Sequence, residues 1–149
     1  MRGFAGLVVI AGLMALGPAD ALADTLYVGK SGQGRGARVR TGDDGRVERF
    51  AIKWLADCRR PGLGFISGTQ TTPKSPFEVH TRDQFVDVGG YRERLDGGKR
   101  AVYDARTVGN RVSERRWRGT FRIRVRLLRG SRLLDRCYLR TRWRVLART

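Results

Sequence analysis

Residues 117–147 read WRGTFRIRVRLLRGSRLLDRCYLRTRWRVLA, and this stretch decides the fold. In its first half Trp117, Phe121, Ile123, Val125 and Leu127 share one parity, while Arg118, Thr120, Arg122, Arg124 and Arg126 share the other. In its second half Leu133, Cys137, Leu139, Thr141, Trp143, Val145 and Ala147 alternate with Arg136, Tyr138, Arg140, Arg142, Arg144 and Arg148. A period of two marks a strand with one face buried and the other in water. The link Arg129-Gly130-Ser131-Arg132 is short and contains glycine, so the two runs predict a β-hairpin with its apolar face inward and an arginine face outward.

Working back from the hairpin, the chain keeps the same character. Leu26-Tyr27-Val28 is a short strand candidate. The glycine-rich run from Gly29 to Gly36 resembles a phosphate-cradling loop, but such a loop needs a helix after it, and Ala37-Arg38-Val39-Arg40-Thr41 reads as another strand. Gly42-Asp43-Asp44-Gly45 is a tight turn, because Gly and Asp accept its dihedrals and local hydrogen bonds. Phe50, Ile52, Trp54, Ala56 and Cys58 then share one parity of a strand. Residues 59–84 hold Pro61, Pro73 and Pro76, so the expectation is a long connection with at most short strands at 64–66 and 77–79. Residues 85–88 and 91–95 read as strand with an irregularity at Gly89-Gly90, followed by extended pieces at 101–105 and 107–112. No part of residues 24–149 has sustained helical periodicity. The expected fold is all-β: an antiparallel two-sheet sandwich or partly closed barrel of about seven to nine short strands.

Residues 1–23 carry Arg2, an apolar run from Leu7 to Leu16 and the small residues Ala21-Leu22-Ala23 before Asp24, the pattern of a cleaved export signal. The run is too short for the roughly 20 residues of a membrane-crossing helix. Export to the periplasm or the extracellular space is therefore expected, with residues 24–149 forming a single domain and no membrane span. Two cysteines in an exported chain most simply form one disulfide. Cys58 and Cys137 both lie on the apolar parity of their strands, so a bridge through the core is expected. On the chain-entropy model its loop is worth about 4 kcal/mol.

The chain has a formal net charge of +17, with 31 Lys and Arg against 14 Asp and Glu. The charge is concentrated in the hairpin, where Arg122, Arg124, Arg126, Arg136, Arg140, Arg142 and Arg144 form the candidate binding face. Like charges directly opposite one another destabilise a sheet by roughly 0.2–1 kcal/mol per pair, so such a ladder needs an offset. One offset is internal, with Glu48, Asp57, Asp87 or Glu93 interleaved from neighbouring strands. The other is an external polyanion, since the guanidinium fork matches phosphate and carboxylate oxygens. Envelope polymers, acidic polysaccharide and nucleic acid all qualify. A third account is compositional: arginine so outnumbers lysine that a GC-rich genome alone would produce the skew.

The final Gly119-Thr120-Phe121, Cys137 and Trp143, together with Tyr27-Val28-Gly29 and Cys58, resemble a group of small secreted bacterial two-cysteine β-sandwich proteins of unassigned function. The resemblance implies the same fold and export and adds nothing on catalysis. The expected function is non-enzymatic. The runner-up is a secreted ribonuclease-like enzyme using Glu78 and His80, which share a face if residues 78–80 are extended. One histidine among dispersed carboxylates does not make a metal-ligand set, and no cofactor is expected.

Overall fold

A computed structural model describes residues 24–60, 65–72 and 76–149; the export signal expected at residues 1–23 lies outside them. Nine strands form one antiparallel sheet: β1 (Thr25–Ser31), β2 (Gly36–Thr41), β3 (Val47–Cys58), β4 (Phe65–Thr72), β5 (Val79–His80), β6 (Gln84–Leu95), β7 (Lys99–Ser113), β8 (Arg116–Arg129) and β9 (Arg132–Ala147). Their order is β4-β3-β2-β1-β9-β8-β7-β6-β5. No helix among the described residues is long and apolar enough to cross a membrane.

The hairpin of β8 and β9 is the middle of this sheet. Arg129 pairs with Arg132 around a two-residue loop in which Gly130 has φ 58° and Ser131 does not have positive φ. Glycine first and an ordinary residue second is the sequence of a II′ turn, whose twist suits a hairpin. The inward parity makes continuous rungs across three strands: Tyr103, Val125 and Cys137; Ala105, Ile123 and Leu139; Arg111, Trp117 and Val145.

Sheet twist curls the two wings toward each other, and the inner faces meet. Phe50 of β3 lies 5.8 Å from Phe85 of β6 and 4.8 Å from Trp143 of β9, and Trp54 meets Tyr103 at 6.2 Å. At one end the wings are tied by hydrogen bonds: His80 Nε2 donates to the Val47 carbonyl at 2.8 Å, and Arg111 donates to the Gly45 carbonyl at 2.7 Å. Strand β3 outruns the short β1–β2 hairpin and rejoins β9, where Asp57 pairs with Tyr138 and Cys58 with Cys137. The result is a partly closed barrel whose free edges are β4 on one wing and β5 with the end of β6 on the other. Its core is aromatic and aliphatic, with Trp54, Trp117, Phe50, Phe85 and Phe121 fully buried.

Four expectations change. Residues 65–72 form a complete strand paired with β3 over eight positions, not a fragment at 64–66. Pro61 and Pro73 stand outside it, so every residue within keeps its N–H, and its glycine has a packing reason: a Cβ on Gly68 would lie 2.9 Å from the Trp54 ring. The short strand expected at 77–79 is instead Val79–His80. Gly89-Gly90 is no irregularity, because β6 pairs with β7 without a register shift, and a Cβ on Gly90 would meet the Tyr103 carbonyl at 2.7 Å. The extended pieces at 101–105 and 107–112 are one strand, β7.

The disulfide between Cys58 and Cys137 is present, with Cα atoms 4.0 Å apart. It joins register partners on adjacent strands rather than opposite walls, so it fastens the point where β3 returns to β9. The buried Asp135 reinforces that joint, accepting from the N–H groups of Arg60 at 3.1 Å and Arg136 at 2.7 Å.

Candidate polyanion-binding face

The outward parity of the central hairpin places Arg118, Arg122, Arg124, Arg126, Arg136, Arg140, Arg142 and Arg144 on one exposed face. All seven arginines expected from the sequence are there, and register sets their neighbours. Arg126 stands directly across from Arg136, Arg122 from Arg140, and Arg118 from Arg144. Arg124 faces Tyr138, and Arg142 faces Thr120. Strand β1 extends the last of these rungs, since Lys30 pairs with Arg144.

The carboxylates nominated as an internal offset do not pair with this ladder. Asp87 and Glu93 lie on the inward parity of β6. Asp87 is 2% exposed, opposite Thr107, and among the described residues its Oδ1 and the Thr107 hydroxyl have no hydrogen-bond partner. Burial, and secondarily the Glu78 charge, push its carboxyl above the usual carboxylate range. Glu93 accepts from the Tyr103 hydroxyl at 2.8 Å; burial and that bond both raise the tyrosine. Glu48 lies 4.0 Å from Arg40, outside the ladder, and Arg40 also pairs with Asp24, which holds that carboxyl below its ordinary value. Asp57 faces outward beside Tyr138 and, among the described residues, has no ion pair. The carboxylate that does reach the ladder is Asp104, 3.7 Å from Arg126, a residue the sequence reading did not single out. Among the described residues, the other arginines of this face have no carboxylate within ion-pair distance.

The face therefore has two unlike ends. Near the disulfide, a concavity of about 630 Å3 mixes Arg59, Arg124, Arg126 and Arg136 with Asp57, Asp104 and Tyr138. At the far end, a groove of about 750 Å3 is bounded by Lys30, Arg118, Arg142 and Arg144, with Asn110, Thr120 and the loop from Ser31 to Gly34, and no carboxylate lines it. The groove exists because Thr120 is short and Gly32 and Gly34 have no side chain, so the long cationic side chains rise around a low floor. Its loop wall is fixed. Gly32 N–H donates to the Arg142 carbonyl at 2.7 Å, Gly34 N–H to Ser31 at 2.9 Å, and the Gln33 amide both donates to and accepts from the backbone of Leu55. Lys30 and Arg118 complete this end; neither was among the expected site residues.

The runner-up pair is engaged elsewhere. Glu78 Oε2 lies 3.5 Å from Arg106, while His80 gives its Nε2–H to Val47 and stacks on Phe77 at 4.7 Å. His80 belongs to the seam where the two wings meet, whereas Glu78 and Arg106 both lie on the β5–β7 side of it. No group of three or more His, Cys, Asp or Glu among the described residues could hold a metal ion.

Against protein-family models, curated proteins and solved structures, the chain has no match.

Proposed function

We propose that this is an exported, non-enzymatic binding domain, of the small two-cysteine β-sandwich kind, whose arginine face holds a polyanion. One observation carries the reading: of the eight arginines on the face, only Arg126 is in an ion pair among the described residues. Opposed arginines such as Arg122 and Arg140 repel, and phosphate, sulfate or carboxylate oxygens laid across them remove that repulsion while using the planar donor fork. The carboxylate-free groove at Lys30, Arg118, Arg142 and Arg144 is the strongest part of the face for an anion.

The test is binding to heparin and to duplex DNA at low salt. For DNA, log affinity should fall linearly with log salt, with a slope of about 0.9 per phosphate contacted. Arg118→Gln with Arg144→Gln should lower that slope by about two units. The same change at Arg126 and Arg136, where Asp104 already neutralises charge, should lower it less. No binding of either polyanion at low salt refutes the reading.

A further inference from the structure

The arginine face does not end at Arg144. One rung further along β9, Leu146 is 54% exposed and pairs with Val28 of β1, which is 38% exposed. Leu26 stands on the same face of β1 and is 37% exposed. The rung reads Arg38, Val28, Leu146, Arg116 across four strands, so two aliphatic side chains sit between two arginines. A shallow concavity of about 520 Å3 lies against them, lined also by Arg38 and by Arg148, whose backbone N–H donates to the Leu26 carbonyl at 2.8 Å. Among the described residues, Arg38, Arg116, Arg144 and Arg148 have no carboxylate in ion-pair reach, and the nearby Asp24 is taken by Arg40.

We propose that the partner of this face is the surface of an anionic phospholipid layer, with Leu26, Val28 and Leu146 entering the boundary beneath the headgroups while the flanking arginines hold the phosphates. This rests on the reading of the arginine face as anion-binding and names its ligand. A soluble polyanion offers charge alone, and the aliphatic rung would have nothing to meet on it. An anionic lipid surface offers both, with phosphates in the headgroup layer and an apolar boundary that interfacial proteins enter by roughly 5–10 Å. The aliphatic rung is framed by cations rather than placed apart from them, which is the arrangement such a surface requires.

The experiment compares phosphatidylcholine vesicles with and without phosphatidylglycerol, and duplex DNA, in one low-salt buffer. The protein should bind the phosphatidylglycerol vesicles and not the neutral ones. Val28→Ser with Leu146→Ser should weaken vesicle binding about tenfold or more, because two aliphatic side chains no longer leave water, while DNA affinity changes by less than about twofold. Leu146→Trp should strengthen vesicle binding, since indole favours the interface, and an unchanged thermal melt of the variant separates that gain from exposure of the core by misfolding. Vesicle binding unchanged by the serine pair, or DNA bound without phosphatidylglycerol vesicles, overturns the lipid proposal and leaves a nucleic-acid or polymer face. If neither DNA nor heparin binds, the anion-binding reading itself falls, and the lipid proposal that rests on it falls with it.

Discussion

Replacing Arg140 by Thr should make the protein more stable and a poorer anion binder. Arg140 is the register partner of Arg122, and the next residue on that rung, Arg106, is itself cationic and held by Glu78. Two unit charges about 6 Å apart in water repel by ~0.7 kcal/mol, inside the roughly 0.2–1 kcal/mol measured for like charges opposed on a sheet. Threonine also suits an exposed strand position, adding a few tenths of a kcal/mol. For a domain of this size the sum raises the melting temperature by about 2–5 °C. The electrostatic part of the gain should vanish near ~1 M salt, where the screening length is about 3 Å, leaving only the threonine's few tenths of a kcal/mol. Arg126→Thr is the internal control: it relieves the opposition to Arg136 but discards the pair with Asp104 at 3.7 Å, so its melting temperature should move much less. Thermal melts of both variants at low and high salt, beside heparin affinity, provide the readout. Should Arg140→Thr lower the melting temperature at low salt and leave heparin binding intact, the arginines serve the fold and the reasoning behind the binding face is wrong.

Asp87→Asn should stabilise the protein at neutral pH. Its carboxyl is raised in the folded state, so the folded protein holds that proton more tightly and stability falls as pH climbs from the ordinary carboxylate value through the raised one. Denaturant titrations across acid to neutral pH should show this loss in the wild type and a flatter profile in the variant; a variant less stable at neutral pH would contradict the assignment. Reduction of the Cys58–Cys137 bridge should cost up to about 4 kcal/mol on the chain-entropy model, read as a sharply lower melting temperature, and an unchanged melt would show that the β3–β9 joint holds without it. Gly119→Ala should destabilise by about 1–3 kcal/mol or more, because its Cβ would fall 1.9 Å from the Val108 carbonyl oxygen and 2.5 Å from the Trp143 ring; a neutral result by chemical denaturation would mean the backbone there yields freely.

The legible parts of the molecule are those where pattern is local. The alternation through residues 117–147 stated which side chains face inward and where the chain turns, and the rungs across β8 and β9 follow from it directly. Phe85-Val86-Asp87-Val88 runs against its local pattern: Val86 and Val88 make the purely apolar parity, yet Asp87 enters the core beside Phe85 and Val88 faces out. Strand β4 was hidden because, beyond Ile66, its inward positions are Gly68, which leaves room for Trp54, and the buried Gln70. No hydrophobic alternation announces such a strand. Lys30 could not have been assigned to the site, since its place beside Arg144 depends on β1 pairing with β9, a contact between distant parts of the chain. The cysteines showed the same limit. Their parity pointed inward, yet only the return of β3 to β9 explains why they are neighbours in one sheet rather than a strut between two walls.

That return gives the ninth strand an unusual position in time. β9 touches β8, β1 and β3, so during synthesis the first three strands emerge and wait, with Cys58 unpaired and one flank of β1 open, until residues 132–147 have followed. A nascent chain halted before β9 would expose a strand flank and a reactive thiol together, a combination that favours misassembly with a second chain. The high sequence separation of these pairings also makes folding slow relative to local hairpin closure. Quality control is thereby built into the order of the strands: a truncated product cannot hide its defect, because the segment that completes the barrel is also the one that seals its thiol and covers its edge.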